Sequence, residues 1–426
     1  MERKTDKDRI YDEVFARDER EIAAELARST DEKERAQMSR VQHILKILKA
    51  DAKSGALQKR LQQPETEEEA NKYLADREEK RVANMKKVSR ELADAVKAAK
   101  EDLASGGTPQ QKLVPPTSWG MRLQQWNGYV DACKETDEYK ALKESRAAAK
   151  GCVNMYDLNK QWVIPQTAGT GASLALLLNR DQPLEAEVMI SHAWGEDVEQ
   201  CQQALVNVCM PEAKVVWFCV FANYQAGGDG DVGPDIGWQL SLSPFQQVIN
   251  HPDLVAMVVI HTTVEEVYNR LWCVHEIDEA MLHKVQTWAA CSMEYSAEKG
   301  SAQPLSGTTA AKVAIDCTGA RCGRPEDEEM LREKVMENGG FQRLNDAIVE
   351  FRMGMVEYNQ MVGMFSFLAG PFLITSSLDL IWQDPRNLSP NDLSAFIGLL
   401  PKLMETIRRA EEKLEGEPKS PAKELA

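Results

Sequence analysis

Short apolar runs that alternate with helical patterns, from residue 185 to residue 353, constrain the fold of this chain more than any other feature. Four runs are predicted to be strands: Glu187–Ile190, Lys214–Ala222, Leu254–Ile260 and Gln286–Cys291. The second and third are continuously apolar, as in parallel strands buried on both faces. This alternation predicts a parallel α/β sheet, and ligands of such sheets bind beyond the C-terminal ends of the strands.

The length of the chain, 426 residues, predicts two or three domains. Composition divides the chain into a charged helical or coiled-coil region at 1–104, a linker at 105–118, a mixed helical lead-in at 119–184, the α/β domain at 185–353, a helical extension at 354–414 and a disordered tail at 415–426. Within the α/β domain, helices are predicted at 197–208, 244–250, 272–283, 326–336 and 341–353, and 312–315 is a candidate for a last strand.

Charge and cysteine content narrow the class of protein. Residues 1–100 contain 24 Lys+Arg and 22 Asp+Glu, whereas the rest of the chain contains 27 and 45. The net negative charge of residues 101–426 repels the phosphate backbone of nucleic acids and argues against nucleic-acid binding. The nine cysteines are scattered without a CxxC pair, and the N-terminus lacks the apolar core of a signal peptide. We therefore expect a reduced, cytoplasmic compartment.

An uncharged apolar stretch at 359–378 allows a membrane contact. It has barely the length of about 20 residues that a bilayer requires. Gly370 and Pro371 interrupt it, and its flanks show no one-sided basic bias. A buried helical hairpin broken at Pro371 is the favoured interpretation, and a membrane span is the alternative.

The N-terminal region combines mixed charges with narrow apolar stripes. One stripe runs through 41–48, and another consists of Val82, Met85, Leu92 and Val96, at helical spacing. Such a stripe is typical of a coiled-coil hairpin or of a helix that binds a partner helix, so self-association through this region is expected. Isolated helices that dock on nothing are the alternative.

The segment Ala168–Ser173, with the sequence AGTGAS, looks superficially like a phosphate-binding loop. It lacks the Gly-Lys-Ser/Thr of the Walker pattern and the third glycine of a dinucleotide fingerprint. We predict instead a turn that caps a helix from Ser173 to Leu178.

The octet Arg270–Ile277, with the sequence RLWCVHEI, is the strongest candidate for a functional site. It follows the predicted strand at 254–260 and opens a helical pattern. On a helix, Trp272 and Glu276 share one face, which puts an indole beside a carboxylate at the edge of the sheet. Ser191, His192 and Trp194 follow the first predicted strand and belong to the same edge.

These residues resemble the Toll/interleukin-1 receptor (TIR) domain superfamily, in particular the TIR-like proteins of protists and algae. The strand that ends at Ser191-His192 is similar to the family's opening box, the loop 225–242 lies where the family has its BB loop, and RLWCVHEI is similar to the Trp-Cys-x-x-Glu-Leu/Ile start of its third helix. The resemblance covers roughly residues 185–353 and implies a flavodoxin-like parallel sheet. A convincing Phe-Trp box is missing.

The resemblance also implies a chemistry. In catalytic members of the family, the glutamate at the position of Glu276 is required to cleave the nicotinamide–ribose bond of NAD+. A carboxylate at that place stabilises an oxocarbenium-like ribosyl cation, as carboxylates do in glycoside hydrolysis. Trp272, Ser191, His192 and Trp194 are then candidates for substrate binding. NAD+ is a substrate in this scheme, and no cofactor or metal is required.

A non-catalytic interpretation stands beside this one. A glutamate in the first turn of a helix is favoured by the helix dipole whatever its function. Trp272 and Cys273 are also of a type that packs against a sheet, and His192 is of a type that caps a helix. The chain is then a protein–protein interaction and assembly module, in which Glu276 is incidental. No set of cysteines and histidines has the spacing of a metal site.

Overall fold

The computed structural model describes residues 67–208, 210–227, 231–295 and 315–352. These residues all belong to one compact unit, Thr66–Asn359. The predicted stripe at 41–48, the apolar stretch at 359–378 and the tail at 415–426 lie outside the described residues. Within the described ranges, no helix is both long and apolar enough to cross a bilayer.

A five-stranded, mostly parallel sheet forms the centre of the unit. Its strands are β1 Met121–Arg122, β2 Val188–Ser191, β3 Val215–Phe218, β4 Ala256–His261 and β5 Thr287–Cys291. Their order is β1-β3-β2-β4-β5, with β1 antiparallel to β3 and the other neighbours parallel. The predicted α/β class is confirmed. From β2 the chain moves to one side to form β3 and to the other side to form β4 and β5, so the connection reverses between β2 and β4.

Helices connect and cover the strands. They are α1 Glu67–Ala104, α2 Gln110–Leu113, α3 Leu123–Lys134, α4 Asp137–Ala148, α5 Met155–Leu158, α6 Ile164–Thr167, α7 Leu174–Leu178, α8 Val198–Asn207, α9 Cys219–Ala222, α10 Ile236–Ser241, α11 Pro244–Ile249, α12 Leu271–Leu282, α13 Met293–Tyr295, α14 Pro325–Glu337 and α15 at 340–352. The five helices predicted in the α/β region match α8, α11, α12, α14 and α15, and those ends that fall within the described residues agree within one residue. The candidate strand at 312–315 falls almost wholly outside the described residues.

The predicted strand Lys214–Ala222 is wrong in its second half. β3 ends at Phe218, and Cys219–Ala222 forms the short helix α9. Val220 and Phe221 are fully buried, so this helix is as apolar as a core strand. Periodicity alone does not separate a short buried helix from a short buried strand. Cys219 therefore lies just past the C-terminal end of β3.

The long helix α1 packs against α3. Val88 and Leu92 are buried, and a methyl group added to Gly128 of α3 would lie 2.8 Å from Val88 and from Asn84. The small residue therefore allows the two helices to approach closely. The expectation of undocked N-terminal helices is wrong for this one, whereas a coiled coil at 1–66 lies outside the described residues.

Residues 105–184 are built into the same unit as the parallel strands. The side chain of Gln111 is buried; it donates to the carbonyl of Ala222 at 3.0 Å and accepts from the N–H of Ser173 at 2.9 Å. Trp126 stacks on Phe218 with ring centres 5.4 Å apart. The boundaries predicted at 118 and 184 thus do not separate compact units.

Candidate functional site

The C-terminal ends of β2 and β4 meet the start of α12 at one edge of the sheet. Ser191, the last residue of β2, is paired with Val259 of β4. The N–H of Leu271 donates to the carbonyl of Arg321 at 3.0 Å, which fixes the first turn of α12. Because the connection reverses between β2 and β4, this is the position at which open α/β sheets bind ligands.

Ser191 and Glu276 form a buried hydrogen-bonded pair at this edge. Ser191 Oγ donates to Glu276 Oε2 at 2.6 Å, and Glu276 is 5% exposed. Burial raises the pKa of the Glu276 carboxyl to about 7, although the hydrogen bond from Ser191 and the nearby His192 lower it. The carboxyl therefore changes charge near neutral pH, as groups with a catalytic role often do.

Trp272 lies one turn before Glu276 on α12 and is partly exposed. Its ring centre is 4.7 Å from that of Phe245 on α11. The next residue, Cys273, is buried and donates to the carbonyl of His192 at 3.2 Å, so the predicted packing of Cys273 is confirmed. Trp272 presents part of an indole to solvent near the start of the helix that carries Glu276.

His192 turns away from Ser191 and Glu276 toward the end of β3. Its Nδ1 is 3.1 Å from Glu196 Oε1, and its Nε2 is 3.2 Å from Cys219 Sγ. The side chains of His192 and Glu196 are each 1% exposed. Burial by itself lowers the pKa of His192, but the charges of Cys219 and Glu196 raise it more, to about 10. Burial also raises the pKa of the Glu196 carboxyl, and the charge of His192 offsets part of that effect.

Trp194 contacts the same sulfur atom as His192, which is Cys219 Sγ. Its Nε1–H donates to Cys219 Sγ at 3.2 Å, and its ring centre lies 5.2 Å from that of Tyr156. The structure thus divides the four predicted binding residues. Ser191 contacts Glu276, Trp272 lies one helical turn away from it, and His192 and Trp194 converge on Cys219.

Sequence reasoning missed Cys219 and Glu196. Cys219 was hidden because its segment was assigned to a strand, in which it would have had no special position. Because β3 ends at Phe218, Cys219 lies at the same edge of the sheet as Ser191. Its position directly after a parallel strand is the sequence signal that could have identified it. Glu196 follows His192 by four residues in a turn and not in a helix, so its contact with the imidazole had no periodic pattern to reveal it.

A second group of polar side chains lies at the ends of β4 and β5. His261 Nε2 is 2.8 Å from the hydroxyl of Tyr268, and burial lowers the pKa of His261 to about 4. Gln200 of α8 donates to Thr263 at 2.9 Å and accepts from the hydroxyl of Ser292 at 3.1 Å. The contacts of Gln200 tie α8 to the ends of β4 and β5.

The loop at 225–242 is fastened to the glycine loop at 168–173. Asp231 accepts a hydrogen bond from the N–H of Gly169 at 3.3 Å. Ser173 Oγ accepts from the first turn of α7 at 3.4 Å, so the predicted capping turn is confirmed. The backbone N–H of Gly169 is thus bound to Asp231, and Ser173 caps α7.

One group of three potential metal ligands occurs among the described residues. Glu185, His251 and Asp253 offer ligand atoms that lie within 4.8 Å of one another, with both carboxylates exposed. They precede β2 and β4 and therefore lie at the opposite, N-terminal edge of the sheet from Glu276.

No protein-family model, curated protein or solved structure matches this chain. The resemblance to TIR domains therefore rests on the residues of this chain alone, at the end of β2, in the loop at 225–242 and at the start of α12.

Proposed function

We propose that this chain is a TIR-like signalling protein that cleaves the nicotinamide–ribose bond of NAD+, with Glu276 as the catalytic residue. The order of its parallel strands supports a flavodoxin-like fold. Counted among the parallel strands alone, β3-β2-β4-β5 is the order 2-1-3-4, with which flavodoxin-like sheets begin. The observation that carries the activity is the Ser191–Glu276 pair, because it puts a carboxyl of raised pKa at the reversal point between β2 and β4.

The reaction requires little from the protein besides charge and position. Nicotinamide leaves as a neutral molecule when its bond to the ribose breaks, and positive charge develops on the ribosyl ring. The ionised Glu276 carboxylate stabilises this charge, and Ser191 keeps the carboxylate oriented by donating to Oε2. Water then attacks the ribosyl carbon and releases one proton, which completes the hydrolysis.

NAD+ reaches Glu276 only after a rearrangement, because the carboxyl is buried in this structure. Trp272 is partly exposed and borders the start of α12, so it is the proposed contact for the nicotinamide or ribose ring. Closure over the substrate would exclude bulk water from the developing cation and leave only the attacking water molecule.

The test is nicotinamide release from NAD+ by the purified full-length chain over a range of protein concentrations. We expect Glu276→Gln to reduce the rate about 100-fold or more, since it removes the charge but keeps the shape and the hydrogen bond from Ser191. Glu279→Gln is the matched control on the same helix and should retain the wild-type rate. Equal release from wild type and Glu276→Gln would refute the catalytic role.

The second candidate function is a non-catalytic assembly module, and the burial of Glu276 favours it. A carboxyl that is 5% exposed and hydrogen-bonded to Ser191 fits a structural role as well as a catalytic one. Absence of nicotinamide release at every protein concentration, together with an intact fold, would select this candidate.

In either case, we propose that the N-terminal region brings copies of the chain together. Residues 67–104 are used by their own unit, since α1 packs on α3, so the self-association is assigned to residues 1–66. Light scattering on a chain that lacks only these residues tests the assignment. An unchanged mass relative to the full chain would contradict it.

A further inference from the structure

Cys219 has the surroundings of a nucleophile rather than those of a structural cysteine. Its Sγ receives the indole N–H of Trp194 at 3.2 Å and lies 3.2 Å from Nε2 of His192. On the far side of the imidazole, Nδ1 is 3.1 Å from Glu196 Oε1. A thiol, an imidazole and a carboxylate in line are the arrangement in which a base activates a nucleophile and a third group orients the base.

The charges of this row favour a protonated His192 beside Cys219. The pKa of His192 is raised to about 10, because the charges of Cys219 and Glu196 outweigh the effect of burial. When both ring nitrogens carry protons, one N–H donates to Glu196 and the other to Cys219 Sγ. Further titratable groups facing this row are Glu265, Glu276, Cys201 and Cys273.

Two other partly exposed cysteines show the contrast. Burial, with Asp197 close by, raises the pKa of Cys152 to about 12. Burial, with Asp327 close by, raises the pKa of Cys322 to about 11. Both remain protonated thiols at neutral pH, whereas Cys219 alone of the three lies beside a histidine ring nitrogen and an indole N–H.

The accessibility of the row decides which of its members a reactant can reach. The side chains of His192 and Glu196 are each 1% exposed, whereas Cys219 is partly exposed. A reactant from solvent therefore meets the cysteine and not the base. A small molecule that needs only an electron pair from sulfur and a proton from the imidazolium suits this arrangement.

We propose that Cys219 is a peroxide-reactive cysteine whose sulfur is converted to a sulfenic acid by hydroperoxides. The thiolate attacks one peroxide oxygen, a sulfur–oxygen bond forms and the oxygen–oxygen bond breaks. Sulfur is oxidised by two electrons and the peroxide is reduced by two. His192 gives its Nε2 proton to the leaving hydroxide or alkoxide, which departs as water or alcohol. The inference rests on the contacts of Cys219 and is independent of NAD+ cleavage.

The test uses hydrogen peroxide on the full-length chain at pH 6, with dimedone to trap the sulfenic acid and mass spectrometry to locate it. We expect Cys219 to be labelled roughly tenfold or more faster than Cys152 or Cys322, which serve as partly exposed controls in the same molecule. Labelling of Cys219 no faster than these two would overturn the proposal. Rapid alkylation by iodoacetamide without a sulfenic acid would also overturn it.

Variants assign the role of the imidazole. His192→Gln keeps a polar side chain but removes the imidazole that acts as the acid. We therefore expect the labelling rate of Cys219 to fall to that of Cys152. Where this variant does not fold, as judged by circular dichroism, the comparison among the three cysteines of the wild type decides. Cys219→Ser should remove the fast label and leave the slow labels unchanged.

Discussion

The C-terminal edge of the sheet has two halves that differ in how they treat a reactive side chain. Toward β4, Glu276 is enclosed and, among the described residues, accepts a hydrogen bond from the side chain of Ser191 alone. Toward β3, Cys219 is partly exposed and is held by His192 and Trp194. Adjacent residues at the end of β2 supply both halves, because Ser191 and His192 point in different directions. One strand end can therefore hold a buried carboxyl and a partly exposed thiol at once. We call the side with Ser191 and Glu276 the sealed half, and the side with His192, Trp194 and Cys219 the open half.

The largest expected effect comes from removing the imidazole that holds the open half together. His192→Ala leaves the Glu196 carboxyl buried without its partner, and we expect the free energy of unfolding to fall by about 3–5 kcal/mol. Urea denaturation measures this change. His283→Ala is the control, since that exposed histidine pairs with Glu279 just past the end of α12 and should change stability by less than about 1 kcal/mol. A similar small loss for His192→Ala would mean that the two halves do not differ in this way.

The sealed half is expected to control how stability depends on pH. The folded pKa of Glu276 is about 7, above its ordinary value of 4.5. Between these values the unfolded chain releases the proton and the folded chain keeps it, so stability falls as pH rises from about 4.5 to about 7 and is then level. The difference in pKa corresponds to about 3 kcal/mol. Glu276→Gln removes this loss, so the variant gains about that much relative to wild type between pH 4.5 and pH 8.

Urea denaturation of both proteins across this pH range measures the gain. Glu279→Gln, with the same change of charge on the same helix, should follow the wild-type curve. If the two glutamate variants behave alike, the sealed carboxyl is not the origin of the pH dependence.

Ser191→Ala tests the hydrogen bond inside the sealed half. Loss of one hydrogen bond to a buried acceptor should cost about 1–3 kcal/mol at pH 8, where the carboxylate is ionised, and less at pH 5, where it is protonated. The pKa of Glu276 should rise above about 7, because Ser191 favours the ionised form. The pH at which stability becomes level should therefore move upward. An equal cost at both pH values would show that Ser191 does not act through the charge of Glu276.

The smallest expected effect concerns the indole in the open half. Trp194→Phe keeps the aromatic contact with Tyr156 and removes the N–H that donates to Cys219 Sγ. Sulfur is a weak acceptor, so we expect alkylation of Cys219 by iodoacetamide to change by about two- to threefold, while that of Cys152 stays constant. A change of the same size at Cys152 would point to a general loosening of the protein.

Sequence alone predicted the sheet well and its edge only in part. The strand before Ser191 and the helix that carries Glu276 were found because long apolar and helical patterns are strong signals, and their meeting follows from the geometry of parallel strands. The same edge also predicted that Ser191 and Glu276 belong together. Activity does not follow from this contact and stays a prediction.

The parts that sequence did not predict depend on side-chain direction and on distant packing. The boundary at Phe218 was missed because the apolar run continues unchanged into a buried helix, and with it the position of Cys219. The docking of α1 was missed because its burial depends on Gly128, a residue on another helix whose role is visible only when both are in contact. Packing of this kind is set by tertiary structure and leaves little trace in local periodicity.

The two-residue strand β1 shields one edge of the parallel strands from solvent. It covers the outer edge of β3 through the antiparallel pairs Met121–Val216 and Arg122–Val215, and the N–H of Leu123 extends this cover by donating to Lys214 at 2.9 Å. A shortened chain that begins after residue 122 would present the apolar edge of β3 to solvent, where a strand from another molecule can add. We therefore expect such a shortened chain to associate more readily than the full chain at high concentration.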